Sequence, residues 1–387
     1  MKTRLALFAT LAFAAGALHA QSQGVTKNEI LIGSIQDLSG PVAAYGKHYR
    51  QGMLLRVDEL NEQQGGINGR KLRVLVEDNG YDPKRAVLAT QKLVNQDKVF
   101  AIVGHIGTAM NNASMPIQFE KNVINFFPLT AAREMYEPFH KLKFSAGTSY
   151  YDQVRTTLPK LAKEKNAKKV CALYQDDDFG LEVLRGAEDG AKAAGMTVAE
   201  KTTYKRGATD FSSQVARLKS SNCDMVVLGT IIRETIGTIA EGRKTGYNPT
   251  WLGTSAAYTD LIHKLGGKAV EGLYAGMSVQ HPYLDEASQP IRFWAQKYVT
   301  KYGEEPSVFS VYGYTSTDAF IRAAQKAGTN LTTESFIKAM ESIVLPPDMF
   351  GSAEGKFGPN KHFGTDQSRL SQIVDGKWKV IADYGKH

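Results

Sequence analysis

The chain has 387 residues, 42% of them hydrophobic and 22% charged, with 36 glycines and a formal net charge of +8. That composition excludes a disordered chain, a collagen-like repeat and a polytopic membrane protein, and a single core rarely grows past ~250–300 residues, so two lobes are expected. Without Lys2 and Arg4 the charge is +6, spread among residues of both signs, which is a poor match to a nucleic-acid-binding surface.

Lys2 and Arg4 form a basic start, Leu5 to Ala15 is an unbroken apolar or small run, and Ala17 to Ala20 offers small residues for cleavage. Residues 1–20 therefore read as a signal peptide, with Ala15-Gly16-Ala17 as a competing cleavage site. The run falls short of the ~20 apolar residues that span a bilayer, and no Cys follows either site to carry a lipid. A mature protein in the periplasm is expected.

Short β-rich runs then alternate with segments of helical period, the pattern of a parallel sheet covered on both faces. Glu29 to Gln36 is the first strand, followed by a helix from Tyr45 to Asn61 that Gly65-Gly66 ends. Leu72 to Val76 is a strand, Asp82-Pro83 starts a helix, and Val99 to Val103 and Val123 to Phe127 are further strands. Lys143 to Thr148 separates one βα series from the next, in which Val170 to Tyr174, Met225 to Leu228 and Thr250 to Leu252 are strands and 210 to 221 a helix. After a strand near Tyr274 the chain turns to long helices, and it ends in a hairpin, 370–374 and 377–381, around Asp375-Gly376. Such an order implies more than one passage between lobes. Cys171 and Cys223 sit near two strand starts; they are too few for a usual zinc site, and a disulfide and two buried thiols both remain open.

Ligands of an open parallel sheet bind beyond the carboxyl ends of its strands, so the informative residues follow each strand. These loops carry hydroxyls, small residues and aromatics. No G-x-S-x-G elbow, Walker A, H-E-x-x-H or G-x-G-x-x-G follows a strand, so no catalytic residue, metal site or cofactor is expected. Asp176-Asp177-Asp178 is read as capping a helix in preference to holding a cation. His105 reads as a positioning residue more readily than a general base. Arg233 is suited either to clamping a carboxylate or to pairing with a neighbouring acid at the helix start.

Ser39-Gly40-Pro41 with Tyr45-Gly46, Asn61 with Gly65 to Leu72, Asp78 with Asp82-Pro83, Lys92-Leu93-Val94 and Ile102-Val103-Gly104 resemble, in this order, the leucine/isoleucine/valine-binding proteins of bacterial ABC importers. The resemblance runs on through Tyr174 to Gly180 and Asp210 to Leu218, covering nearly all of the mature chain. It implies an α/β fold, a type I periplasmic binding protein of two doubly wound parallel-sheet lobes joined by a three-crossing hinge: residues 24–147 and 278–355 in lobe 1, 148–277 and 356–387 in lobe 2. It also implies a monomer that closes on a small-molecule ligand and delivers it to a membrane permease. Carried over by position, Tyr45 matches an aromatic wall, Ile106, Gly107 and Thr108 a carboxylate-holding loop, and Leu129, Thr130 and Ala131 its second half. Phe179 and Ile231 match walls of the second lobe; Arg233 and Tyr258 complete the expected ligand-binding set. Ser255 stands where amino-acid binders of the family place the carboxylate that meets the ligand's ammonium. An unpaired charge drawn into a closed cleft costs several kcal/mol, so the expected ligand is a small organic acid, aromatic by the count of nearby rings. The alternatives are a branched-chain amino acid or amide, and a sensory role with the same pocket.

Overall fold

Residues 22–383 are described by the computed structural model; the expected signal peptide lies outside them. The first lobe opens with β1 (Glu29–Gln36), α1 (Ala43–Gln63), β2 (Lys71–Asp78), α2 (Pro83–Gln91), β3 (Ala101–Val103), α3 (Thr108–Glu120), β4 (Ile124–Phe126) and β5 (Lys143–Phe144). Its sheet is parallel throughout in the order β2-β1-β3-β4-β5. Seven of the eight residues of β1 are buried, as a central strand covered on both faces requires. At α2 the expected start is met: the Asp82 carboxylate accepts the Arg85 amide and Pro83 takes the first turn.

The second lobe repeats the pattern with α4 (Tyr150–Glu164), β6 (Val170–Gln175), α5 (Asp178–Ala193), β7 (Val198–Tyr204), α6 (Ser212–Ser220), β8 (Met225–Gly229), α7 (Ile232–Lys244), β9 (Thr250–Gly253), α8 (Asp260–Gly266) and β10 (Tyr274–Met277). Strand β7 lies at the sheet edge with three of its seven residues exposed, and its mixed sequence VAEKTTY carried no clear strand signal. Asp177 caps α5 by accepting the Gly180 amide and pairs with Arg206 at 2.8 Å, while Asp178 accepts from Asn112. Among the described residues no cluster of three or more metal-ligating side chains occurs. Cys171 and Cys223 form a disulfide that ties β6 to the chain entering β8.

The chain then returns to the first lobe with α9 (Gln289–Tyr302), α10 (Val308–Ala327), α11 (Thr333–Glu341), β11 (Val344–Leu345) and β12 (Gly355–Lys356). It ends in β13 (Arg369–Val374) and β14 (Lys377–Ala382), an antiparallel hairpin that extends the second sheet through β13 antiparallel to β10. That sheet runs β14-β13-β10-β9-β8-β6-β7. Asp375 and Gly376 both have positive φ, as a two-residue hairpin turn of the favoured twist requires.

By element order and sheet membership the chain passes from one lobe to the other between β5 and α4, between β10 and α9, and between β12 and β13. The last differs from the expected boundary at 355. Residues 356–364 stay with the first lobe because Phe357 packs on Phe127, with centroids 5.8 Å apart, and His362 stacks on Phe144 and hydrogen-bonds the Lys143 carbonyl. Behind these rings the core of the lobe is an aromatic cluster of Phe100, Phe126, Phe320 and Phe336.

Helix α10 lies against α1 at backbone contact. A Cβ at Gly52 would stand 1.9 Å from the Ser310 carbonyl oxygen, and one at Gly313 would stand 2.0 Å from that of Tyr49. Alanine at either site gains ~1 kcal/mol of helix propensity, yet neither carbonyl can retreat without moving a helix. We expect Gly313→Ala to lower the unfolding free energy by a net 1–3 kcal/mol, about the usual cost of overpacking, in urea titrations. An unchanged or raised midpoint would mean that the two helices tolerate a wider separation.

Candidate functional site

The strand order of each sheet reverses once in the same way, between β1 and β3 in the first lobe and between β6 and β8 in the second. Such points are where ligands bind in doubly wound sheets. The loops leaving all four strands face a single cavity of about 470 Å³ between the lobes. Of the residues expected to bind a ligand, Tyr45, Ile106, Gly107, Thr108, Leu129, Thr130, Ala131, Phe179, Ile231 and Ser255 line it.

At one end the wall is polar. Thr108 Oγ1 and Thr130 Oγ1 lie 2.7 Å apart, and the Tyr150 hydroxyl hydrogen-bonds Thr130. Gly107, at φ 93°, turns the chain into α3 without any side-chain cap on the first amides of that helix. A helix start left open this way favours an anionic group, and the two hydroxyls add donors to it. The neighbouring wall is aromatic: Tyr45 stacks on Phe309 at 3.7 Å between centroids, and Phe179 meets Tyr150 edge to face.

The second-lobe wall is neutral at Ser255. Ser255 is held by Gln153, which accepts its amide at 2.8 Å and donates to its hydroxyl at 3.0 Å. Asp260, the nearest substitute in sequence, is buried outside the cavity and tied to Lys264 at 2.9 Å and His281 at 3.2 Å. These partners hold its carboxyl well below the usual carboxylate range despite burial. The acids that do line the cavity are also engaged. Asp318 pairs with Arg56 and Arg322, and Asp348 accepts the Phe350 and Ser352 amides.

Two expected residues are not brought to the site. Arg233 is exposed on α7, two residues past the wall residue Ile231 and outside the lining. Tyr258 is buried, with its ring against Trp378 and its hydroxyl accepting the His281 amide. His105 is fully buried beside Asn79, and desolvation lowers its pKa to about 3, so it faces no ligand as a base. Several lining residues were missed in the sequence: Tyr81, Tyr150, Tyr314 and the loop 346–350. Tyr81 follows β2 directly, and the rule that located the other loops would have found it.

Contacts across the cleft hold the lobes together. The Tyr45 hydroxyl donates to the Ala256 carbonyl at 2.8 Å, and Arg133 of the first lobe grips Glu182 of α5 through Nε at 2.8 Å and Nη2 at 3.1 Å.

With this geometry, the family model for periplasmic binding proteins matches residues 29–377. A Leu/Ile/Val-binding protein homolog 8 from Brucella abortus is 25% identical, the match covering 91% of this chain and 90% of its own. A fatty acid ABC transporter substrate-binding protein from Thermomonospora curvata superposes with a TM-score of 0.85 at 25% identity over 95% of both chains. A solute-binding protein of an ABC transporter from R. palustris, in complex with benzoate, shares the fold with a TM-score of 0.80 at 18% identity, over 93% of this chain and 98% of its own.

Behind Ile231, the first turn of α7 carries Glu234, which is 1% exposed and whose oxygens have no hydrogen-bond partner beyond its own amide. Desolvation raises its carboxyl pKa, with only small opposition from that amide and Arg233. The folded protein therefore holds this proton more tightly than the unfolded chain. Stability falls as the pH rises from the ordinary carboxyl range through the raised value, and the full cost is present above it. We expect Glu234→Gln to melt above the wild type near pH 8, with the gap closing towards about pH 4 in paired melting curves. A gap that is constant with pH would remove the buried charge as its cause.

Proposed function

The chain belongs to the periplasmic binding protein family, solute-binding proteins that work with ABC transporters, and we propose that its ligand is an organic carboxylate without an ammonium group, enclosed between the lobes by hinge closure. The observation that carries this reading is the neutral wall at Ser255, where Gln153 occupies the serine and the nearby Asp260 is already paired. An ammonium desolvated there would lose several kcal/mol with nothing to offset it. The carboxylate goes to Thr108, Thr130 and the open start of α3, and the apolar body lies among the rings of Tyr45, Phe179 and Phe309. The cleft offers hydroxyls and rings without a nucleophile and its base, so the reading is capture and delivery to a permease, with no chemical step.

The Thermomonospora curvata protein, described as a substrate-binding protein for fatty acids, supports an acid of this class. Export to the periplasm accords with the family and with a disulfide between Cys171 and Cys223, a bond of oxidising compartments. Among the described residues no helix is long and apolar enough to cross a membrane.

One observation favours a second reading. Glu234 is a buried carboxyl without a partner, and a branched-chain amino acid, as in the description of the Brucella abortus relative, would need it to turn through the wall towards the ammonium. A thermal-shift screen separates the two. A ligand at about 100 times its Kd adds about 2.7 kcal/mol of stability; acids lacking an amine are expected to give this shift and leucine or valine none. The reverse result would overturn the carboxylate reading. Thr108→Val is further expected to weaken the bound acid by about 1.5–3 kcal/mol in titration calorimetry, the usual worth of a hydrogen bond to a charge. Unchanged affinity would take Thr108 out of the site.

A further inference from the structure

The cavity continues well past the groups assigned to the carboxylate. On α10 its lining includes Phe309, Tyr312, Ser316, Ala319 and Arg322, residues three or four apart that form one stripe of the helix, with Tyr314, Thr315 and Asp318 beside it. From Phe309 to Arg322 the stripe rises about 20 Å at 1.5 Å per residue. Facing its far half are Leu345 at the end of β11 and Pro346, Pro347 and Met349 in the loop that leads to β12. An amino acid or a benzoate held at Thr108 reaches only the near turns of this stripe.

Apart from the Ser316 hydroxyl, the polar groups of α10 and the facing loop along the far half are largely engaged within the protein. The Tyr314 hydroxyl donates to Glu59 at 2.7 Å and presents its ring, and the Thr315 hydroxyl donates to the Val311 carbonyl at 3.0 Å. Asp318 is shared by Arg56 and Arg322, and Asp348 is occupied by the amides of its own loop. What remains open is apolar surface, with an outlet at Arg322, whose side chain is 51% exposed. Water filling such a channel would lie against rings and aliphatic groups, and an apolar chain displacing it gains with each buried methylene.

We infer that the site takes an elongated amphipathic acid, an alkanoate or ω-arylalkanoate, with its head at Thr108 and Thr130 and its chain along α10 towards Arg322. This rests on the carboxylate reading above and adds the length of the ligand to it.

Titration calorimetry on ligand-stripped protein with benzoate, hexanoate, octanoate and decanoate tests it. Affinity is expected to rise about fourfold for each methylene added to the alkanoates, the value of a fully buried CH₂. Ala353→Trp, at the far end of the lining, is expected to lower the affinity of decanoate at least tenfold relative to that of benzoate. The tail placement is overturned if benzoate binds and affinity is flat or falls through the longer acids; the carboxylate reading then stands. If no acid binds and an amino acid does, both fall. The chain-length series uses the native protein, so it decides the matter even if the tryptophan variant misfolds.

Discussion

Everything at the cleft depends on how closely α10 can lie against α1. Gly52 and Gly313 let each helix backbone rest on the other's carbonyl oxygens, at Ser310 and Tyr49, where any side chain would collide. That contact fixes the height and rotation of α10. Phe309 is thereby laid flat on Tyr45, and the stripe from Tyr312 to Arg322 is turned towards the cavity while the other face fills the aromatic core through Phe320. A separation of one more methyl group would open the stack and tilt the channel wall. A pair of residues that never touches a ligand thus sets where one can lie.

Charge is distributed on the same logic. Acids abound near the cleft, but each is committed to structure: Asp37 accepts the Ser39, Gly40 and Val42 amides that lead into α1, Asp177 caps α5, and Asp260 is held by Lys264 and His281. At the start of α3 no side chain caps the first amides, and two threonine hydroxyls stand beside them. A framework that spends its carboxylates on its own amides presents a cleft selective for anions and apolar surface. Glu234 is the exception, and its raised pKa is the physical sign that the fold has no partner for it.

The frame of the molecule was legible because parallel strands buried on both faces leave continuous apolar runs: Glu29 to Gln36 was bounded to the residue, and the Asp-Gly hairpin was found from its turn. Strand β7 was not, since an edge strand with one exposed face mixes Lys, Thr and Glu into the pattern. Position after a strand was enough to find Thr108, Phe179 and Ile231. It failed where orientation decides, as for Arg233, which follows Ile231 by two residues and points to solvent, and for Tyr258, whose hydroxyl the His281 amide claims. Tertiary returns were the least visible. Nothing local in 356–364 or 346–350 tells that the one packs on Phe127 and Phe144 and the other closes the end of the cavity.

Closure itself follows from where the interlobe contacts fall. The Arg133 guanidinium grips Glu182 bidentately, with that carboxylate wholly buried, and lies 3.6 Å over the Tyr151 ring. The Tyr45 hydroxyl reaches the Ala256 carbonyl. The Tyr45 hydroxyl and the Ala256 carbonyl satisfy each other at the cavity wall, and Arg133 and Glu182 do so away from it, so both contacts contribute to the joined form whether or not the cleft is filled. A ligand adds only the difference between its affinities for the joined and parted lobes. On the proposed reading, a chain lying along α10 takes that difference from the second-lobe walls at Phe179, Ile231 and Ser255, which line the cavity opposite the first lobe. Thr108, Thr130 and the α10 stripe all belong to the first lobe, so on that reading selectivity for head and tail resides mainly in one lobe, and the signal read by a permease resides in the other.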